Sequence, residues 1–493
     1  MKTEPRRAHH QLTFAVLAVG VGAYALLQSL VTPVLPTIQA ALHTSQANVT
    51  WVLTAYLLSA SIFTPILGRL GDMRGKKKMF VVALVALALG SLLAALATGL
   101  PIMIVARVVQ GIGGGVLPLA FGIIRDEFPA EKVGGAVGLI ASLTAIGAGL
   151  GIVLAGPIVS ALDYHWLFWI PLIMISLAAI AAQFLVPESR EKTPGTINWL
   201  TASLMSLWLV ALLVAVSEAP TWGWGSAKVL VLLGVAVVVL VVWIVLEARS
   251  SNPLIDMKMM AIRSVWATNL VALLFGVAMY ALFGFLPEFL QTPSAAGYGF
   301  GASITQSGVM LLPQAVFMFF VGLVAGRLAQ RFGSKLVLIV GSLVGFAALL
   351  LLALAHSHEW QIYLATALTG VGFGLAFASM SNIIVGAVPR EQTGVASGMN
   401  ANIRTIGGSL GAALMASVVT AKVSPQGLPA ESGYTNGFLM LAGAILLSAV
   451  AGLLIPSIVR TRVAGHLEEP TVALRHAELA LVPGGTVVGD ESE

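Results

Sequence analysis

The most restrictive feature of this sequence is a succession of apolar stretches, each about 20 residues long. A helix of about 20 apolar residues crosses the hydrocarbon layer of a bilayer, where each unpaired backbone group costs several kcal/mol. Fourteen stretches meet this criterion, so the sequence predicts an all-α integral membrane protein with fourteen transmembrane helices. Their approximate limits are 12–34, 49–70, 79–98, 101–124, 133–157, 167–186, 197–217, 228–246, 264–289, 304–328, 335–355, 360–385, 396–420 and 437–458.

The composition agrees with a membrane protein. Of the 493 residues, 58% are hydrophobic and 10% are charged, whereas soluble domains contain about 45–50% apolar and about 25% charged residues. A soluble fold could not bury so much apolar surface. The basic N-terminus and the apolar run after it could indicate a secretory signal, but this run is long enough to span and lacks a clear small-residue cleavage site. We therefore interpret it as the first membrane helix.

The basic residues are distributed unevenly between the two sides of the membrane that an even helix count defines. Of the 26 lysines and arginines, Lys228 and Lys422 fall in loops opposite the termini, and Arg107 and Arg404 lie well inside a span. The remaining 22 share the side of the termini, so the positive-inside rule predicts that both termini are cytoplasmic. The net charge of +5 is thus a topological signal and does not indicate a nucleic acid partner.

An internal repeat divides the chain. The sequence at Gly68 recurs at Gly326, the glycines from Gly111 recur from Gly370, and segment 138–151 recurs at 398–411, at offsets of 258, 259 and 260 residues. Corresponding helices are eight apart, which predicts two parallel six-helix halves with two inserted helices. Parallel halves with a site at their interface describe one class of secondary transporter. The predicted segments are a cytoplasmic N-terminus at 1–11, a first half at 12–186, a linker with the inserted helices at 187–250, a second half at 251–458 and a disordered cytoplasmic tail at 459–493.

The segment after the second apolar stretch carries a dense motif of glycines and charges, Gly68-Arg-Leu-Gly-Asp72-Met-Arg74-Gly75-Lys76-Lys-Lys. Glycines let helix ends approach closely, and Asp72 can pair with a base or lie at the N-terminus of a neighbouring helix. The alternative is a basic loop that only sets topology. A topology signal would not need this pattern or its partial copy in the second half.

This motif resembles the signature of the major facilitator superfamily. Arg107-Val-Val-Gln110-Gly111 resembles the second motif of that superfamily, and the glycines of the fifth helix resemble its antiporter motif. Phrases at 166–169, 217–224 and 247–255 are similar to the fourteen-helix drug:proton antiporters of the EmrB/QacA type. The resemblance, which covers about residues 10–460, implies a proton-driven exporter of amphipathic molecules in the cell membrane that alternates between inward-open and outward-open states.

The resemblance also implies roles for individual residues. Arg107 would take part in proton coupling, and its alternative role is a structural bond to carbonyls of a neighbouring helix. From the charge pattern of the motif, we further expect it to act as a gate that locks the outward-open state, with Gly68, Asp72, Arg74, Gly75, Lys76 and Asp126 as its residues. The fifth helix would pack closely and limit leak through Gly147, Gly151, Gly156 and Pro157.

The sequence departs from the family at two positions. Leu27 stands where the first helix of the family usually carries an acidic residue, nine positions before Pro36, and Ile152 replaces the proline expected after Gly151. A buried cation usually needs a buried anion. We therefore expect neutral or singly charged lipophilic compounds to be better substrates than dications.

Polar groups inside a membrane are expensive, so they are candidates for function. Glu288 is the only acidic residue inside the fourteen predicted spans, near the outer end of the ninth; it could exchange protons with the outside or be exposed at the helix end. Arg404 could face a cavity or extend to the cytoplasmic surface, and the amides could bond between helices instead of binding a ligand. The predicted substrate cavity comprises Gln28, Tyr56, Gln110, Asn269, Tyr280, Gln314, Asn382, Asn400 and Arg404.

Several classes of activity lack their sequence signals. The chain has no phosphate-binding loop of the Gly-x-x-x-x-Gly-Lys-Ser/Thr type, no cysteine and no metal-ligand spacing among its eight histidines. We therefore expect no enzymatic activity, no cofactor and no metal. The expected partners are lipophilic substrates, protons and lipid, with the chain as a monomer. The alternatives are an exporter of one natural product or metabolite, a uniporter or symporter on the same fold, and a membrane receptor that does not transport.

Overall fold

The computed structural model describes residues 7–44, 46–49, 51–189, 192, 196–250, 253–389, 392–422 and 428–456. The predicted tail at 459–493 and most of the predicted N-terminus lie outside the described residues. The described residues form helices joined by short connections. The helices are α1 (Arg7–Leu30), α2 (Leu35–Ala41), α3 (Gln46–Val49), α4 (Trp51–Arg74), α5 (Lys76–Ala95), α6 (Leu100–Ile112), α7 (Val116–Glu127), α8 (Ala130–Ala161), α9 (Trp166–Leu185), α10 (Trp199–Trp222), α11 (Ala227–Arg249), α12 (Met257–Ala261), α13 (Arg263–Gln291), α14 (Ile304–Phe332), α15 (Ser334–Leu354), α16 (Glu359–Ala387), α17 (Thr393–Val419) and α18 (Glu431–Leu453).

Within the described ranges, twelve helical segments are long and apolar enough to cross a membrane, with α6 and α7 counted as one continuous segment. Each coincides with one of the predicted apolar stretches. The two remaining predicted stretches, 133–157 and 396–420, lie on α8 and α17, which are helices of 32 and 27 residues outside the twelve. The chain is therefore an all-helical, multi-pass membrane protein.

Helix pairing repeats between the two ends of the chain. We call α1–α9 the first half and α13–α18 the second half. In the first half, α1 packs on α8 and α9, and α5 packs on α9; in the second half, α13 packs on α17 and α18, and α15 packs on α18. Gly75, between α4 and α5, and Gly333, between α14 and α15, have positive φ values of 116° and 85°. This matched geometry agrees with the internal repeat.

Glycines allow the equivalent helix pairs to cross at backbone contact. A Cβ added to Gly147 would lie 2.8 Å from the Gly22 carbonyl oxygen of α1, and one added to Gly151 would lie 2.9 Å from the Leu26 carbonyl oxygen of the same helix. At Gly407, a Cβ would lie 2.0 Å from the Leu273 carbonyl oxygen of α13. Small residues at these crossings are a common basis of helix packing in membranes, where the hydrophobic effect does not drive association between helices.

The inserted helices α10 and α11 pair with each other. α10 also packs against α4 of the first half and α17 of the second half. In contrast, α11 leaves a long valine- and leucine-rich face exposed, including Val231, Val237 and Val238. An apolar exposed surface of this size fits lipid and not water.

The structure corrects the expectation that Glu288 is the only acidic residue inside the membrane helices. Several helices extend beyond the predicted limits, so that Asp72 lies in α4, Glu218 in α10 and Glu247 in α11. Glu218 Oε1 accepts a hydrogen bond of 3.0 Å from Trp51 Nε1, and Glu247 Oε1 accepts bonds from the backbone of Leu254 and Ile255. These bonds satisfy one carboxylate oxygen of each residue.

Candidate functional site

The charges of the sequence motif form a buried cluster at one end of the bundle, which we call the inner end. Lys76 Nζ donates to both carboxylate oxygens of Asp126, at 2.9 and 2.8 Å, and lies 3.8 Å from Asp72 Oδ1. Ser189 Oγ donates to Asp126 Oδ2 at 2.8 Å. Asp72 and Lys76 are almost fully buried. Breaking a buried pair by removing one partner is costly because it leaves a charge without compensation.

The same cluster lies against the second half. A Cβ added to Gly394, in the first turn of α17, would lie 3.3 Å from Asp72 Oδ1, and one added to Gly68 would lie 3.3 Å from the Gly394 carbonyl oxygen. The Asp72 carboxylate therefore lies beside the N-terminal end of α17, where the helix dipole favours a negative charge. The predicted gate residues Gly68, Asp72, Lys76 and Asp126 thus converge at a contact between the halves.

A residue that the sequence analysis missed completes this contact. Arg125, at the end of α7, donates to the Val388 carbonyl oxygen at 2.9 Å and also bonds the Thr393 hydroxyl. By contrast, Arg74 is exposed, and Gly75 is the only non-helical residue between α4 and α5, both of which are fully described. The predicted gating loop is therefore mainly a pair of helix ends. The sequence signal that could have identified Arg125 is its position directly before Asp126, at the end of a predicted helix.

Arg107 is buried within the first half, with an exposed fraction of 1%. Its Nε donates to the Val52 carbonyl oxygen of α4 at 2.8 Å, and its Nη1 donates to Gln110 Oε1 at 2.7 Å. Its guanidinium carbon lies 4.5 Å from the ring centroid of Tyr56. The bond to Val52 provides the structural role that was the alternative to proton coupling, and the contact with Tyr56 leaves the guanidinium beside a titratable group.

A crevice separates α7 of the first half from α16 and α17 of the second half. Its empty space of about 290 Å³ includes the open mouth, and the volume open to a water-sized sphere is about 10 Å³, about the room that one water molecule needs. The crevice is therefore nearly closed in this conformation. Its lining is apolar on α7 and mixed aromatic and polar on the second half. The lining residues are Leu117, Pro118, Phe121, Phe377, Ser381, Ile384, Ser397, Asn400, Ala401 and Arg404.

Arg404 is the charged residue of this lining. Its exposed fraction is 8%, and its Nε has no hydrogen-bond partner among the described residues. The guanidinium carbon lies 4.5 Å from the ring centroid of Phe377, in cation–π geometry. Its side chain faces the crevice and does not extend to the surface of the bundle.

The other predicted cavity residues are distributed around the centre of the bundle. Tyr56 of α4 and Tyr280 of α13 are close enough to interact electrostatically. The two halves therefore meet at these two side chains. Asn400 Nδ2 donates to Asn269 Oδ1 at 2.9 Å, so this amide pair bonds between α17 and α13. Gln314 is buried on α14 with no partner among the described residues for its Nε2. Gln28 and Asn382 are half-buried. Gln110 Nε2 donates a hydrogen bond to Ser91 Oγ.

The remaining predicted residues lie outside the crevice. Glu288 is exposed near the outer end of α13, where its carboxylate accepts a bond of 3.1 Å from Tyr434. Gly147 and Gly151 face α1, whereas a Cβ added to Gly156 would lie 2.5 Å from the Thr305 hydroxyl of α14. Pro157 lies in the next position of α8. Among the described residues, no cluster of His, Asp or Glu could hold a metal ion.

Comparisons with known proteins agree with this architecture. A sequence profile described as the Major Facilitator Superfamily matches residues 17–412 and 268–481. The chain is 27% identical over 430 residues to a multidrug transporter protein, MdtP, of Bacillus subtilis, with 86% of this chain and 77% of that protein covered. It is 29% identical over 415 residues to a tetracenomycin C resistance and export protein of Streptomyces glaucescens, with 83% and 76% covered.

Two further comparisons involve a transporter that is not named for drug resistance and a solved structure. A uridine/deoxyuridine transporter of Lactococcus lactis is 29% identical over 459 residues, which cover 89% of this chain and 93% of that protein. The crystal structure of the human organic anion transporter MFSD10 (TETRAN) superposes with a TM-score of 0.66 at 16% identity, covering 91% of this chain and all of that chain. At this identity, the structural similarity supports the fold alone.

Proposed function

Because the chain belongs to the major facilitator superfamily and is a transporter, not an enzyme, we propose that it exports amphipathic organic molecules in exchange for protons. Relatives named as multidrug transporters or resistance proteins support efflux as the direction of transport. The observation that carries the proposal is the crevice between the halves, which joins an apolar wall to a buried polar face. Such a lining suits molecules that have both apolar and polar parts.

The mechanism that we propose is alternating access around this crevice. The inner cluster holds α4 and α7 against the first turns of α17, close to Ser397 at the crevice wall. Separating these helix ends would expose the crevice to the inner side. Rocking one half against the other around a site between the halves is a recurring mechanism of secondary transporters.

We further propose that α8 and α17 also span the membrane, which gives the fourteen spans of the EmrB/QacA type. Both helices are longer than the roughly 20 residues that spanning requires. Gly147 and Gly151 of α8 and Gly407 and Gly411 of α17 lie against the backbone of neighbouring helices, which supports a position of both helices within the bundle. The distribution of lysine and arginine supports cytoplasmic termini in the cell membrane.

Export can be tested in bacterial cells that lack their own major exporters. Cells that make the protein should retain less of at least one fluorescent lipophilic compound from a broad panel than cells with the empty vector. An uncoupler that collapses the proton gradient should remove the difference. A protein that reaches the membrane but leaves the retention of every compound unchanged would contradict the proposal.

Arg107 provides a test of proton coupling. We expect Arg107→Ala to abolish gradient-driven accumulation in inverted vesicles but to retain downhill exchange of the same substrate, because the variant removes a charge beside Tyr56 and leaves the crevice intact. The matched control is Arg331→Ala, since Arg331 is exposed at the inner end of α14. Full gradient-driven accumulation by Arg107→Ala would exclude Arg107 from coupling, and the loss of both activities would indicate a structural role.

Substrate charge provides a second test. The crevice lining contains no carboxylate, and Glu218, Glu247 and Glu288 all lie near helix ends. We therefore expect neutral or singly charged lipophilic compounds to compete for export better than dicationic dyes do. The buried positive charges of a dication would lack a negative partner in the crevice. Competition assays with size-matched compounds measure this order. Strong export of a dication that is lost only in Glu288→Gln would contradict it.

A second candidate function is the transport of one metabolite. Its support is the uridine/deoxyuridine relative, which matches this chain over a larger share of both proteins than the multidrug relatives do. Transport of labelled uridine, inhibited by an excess of unlabelled uridine but not by lipophilic dyes, would favour this candidate.

A further inference from the structure

The crevice that we place at the centre of transport contains a positive charge without a carboxylate partner. Arg404 keeps its charge under all ordinary conditions, and it is more than nine-tenths buried. Its neighbours among the described residues are the phenols of Tyr24 and Tyr280, the second of which hydrogen-bonds its side chain, together with the ring of Phe377. A cation–π contact contributes up to about 2 kcal/mol, less than the several kcal/mol that burying a charge costs.

Two buried donors without a partner belong to residues of this lining. Arg404 Nε and the Ser397 hydroxyl both lack a hydrogen-bond partner among the described residues, and both residues line the crevice. They lie on one face of α17, seven residues or about two turns apart. Helical side chains point toward the N-terminus of their helix, so the Arg404 guanidinium extends from its Cα toward the level of Ser397.

The opposite wall is suited to the rest of a small molecule. Leu117, Pro118 and Phe121 supply an apolar surface from α7, and Ile384 continues it on α16. An anionic group on such a molecule would complete the hydrogen bonding of Arg404 and Ser397 and offset the buried positive charge. Hydrogen bonds between a guanidinium and a carboxylate are among the strong ones in proteins because both partners are charged.

We propose that the crevice is a binding site for amphipathic organic monoanions, with the carboxylate or a similar group on Arg404 and Ser397 and the apolar body against α7. This proposal rests on the proposed function, because it names the substrate class of the same site. It goes beyond the expectation that dications are excluded, since it predicts that a single negative charge increases affinity.

Binding of naphthoate and of its neutral methyl ester to the purified full-length protein tests the proposal. The two compounds share an apolar body and differ in charge. We expect the unmodified protein to bind naphthoate at least about tenfold more tightly than the ester, the difference that about 1.4 kcal/mol represents. Arg404→Gln should remove this preference without weakening ester binding, and Ser397→Ala should reduce it. Arg331→Gln is the matched control and should keep it.

The outcomes separate this proposal from the proposed function. Equal binding of the acid and the ester, a preference that survives in Arg404→Gln, or no binding of either compound would overturn the anion site. Transport by proteoliposomes is measured in parallel with the same two compounds and the lipophilic panel. Export of neutral compounds without an anion preference would refute only the anion site, whereas a folded protein that transports nothing would refute the proposed function itself.

Discussion

Replacing Asp72 by asparagine is expected to reduce export at least about tenfold while the protein still reaches the membrane. The Asp72 carboxylate lies between Lys76 and the first turn of α17, at the contact between the halves. Lys76 keeps its two bonds to Asp126 in the variant, so the variant loses the attraction of Asp72 to Lys76 and to the N-terminal end of α17. A shift of about 1.4 kcal/mol between two states already changes their ratio tenfold. The variant should therefore populate the state with separated inner ends.

Asp163→Asn is the matched control, because Asp163 is exposed and bonds only its neighbour His165 among the contacts that the structure shows. Accessibility is measured with a single thiol introduced by Ser381→Cys, since the natural chain contains no cysteine. Labelling from the inner side should rise in Asp72→Asn and remain at the starting level in Asp163→Asn. Unchanged export and unchanged labelling in Asp72→Asn would refute the gating role.

Adding one methyl group at Gly411 is expected to cause a large loss of stability. A Cβ added to Gly411 would lie 2.0 Å from the Val277 carbonyl oxygen. At the same crossing of α13 and α17, a Cβ added to Gly276 would lie 2.0 Å from the Arg404 carbonyl oxygen. The obstacles are backbone atoms, which cannot rotate away. Overpacking of a well-packed core costs about 1–3 kcal/mol, and we expect Gly411→Ala to reach or exceed the upper value.

The measurement is the fraction of monodisperse protein that survives heating in detergent. Gly443→Ala and Gly284→Ala are matched controls on transmembrane helices, because a Cβ at either position meets no atom within 4 Å. These controls should remain as stable as the natural chain. If Gly411→Ala were equally stable, the close crossing of α13 and α17 would be wrong, and so would the register of α17 that directs Arg404 toward the crevice.

The helices and the repeat could be predicted because both depend on local pattern. Apolar length alone locates a membrane helix, since lipid leaves the backbone no partner outside the helix. The repeated glycines are also local, and Gly151 and Gly411 both lie at backbone crossings in the structure. Helix ends were less predictable: Glu218 was placed after its helix, but it lies within α10, where its carboxylate accepts a hydrogen bond from Trp51.

The candidate site could be predicted only in part, because it depends on contacts between the halves. Asp72, Lys76 and Asp126 were identified from their charge pattern, and they converge. Arg125 was missed in favour of Arg74, since only the packing of α7 against α17 shows which arginine reaches across. The crevice wall was missed for the same reason: Leu117 and Phe121 are ordinary apolar residues of a membrane helix until α16 and α17 face them.

Proton-driven counter-transport by the purified protein is the most direct test of the proposed exchange of substrate for protons. Proteoliposomes with an imposed pH gradient would be loaded with a pH-sensitive dye, and the movement of protons and of a substrate found in the cell assay would be followed together. We expect the substrate to accumulate against its gradient and its addition to drive protons in the opposite direction, and we expect both movements to be lost in Asp72→Asn. Protons that move in the same direction as the substrate, or substrate movement that is indifferent to the pH gradient, would contradict the proposed exchange.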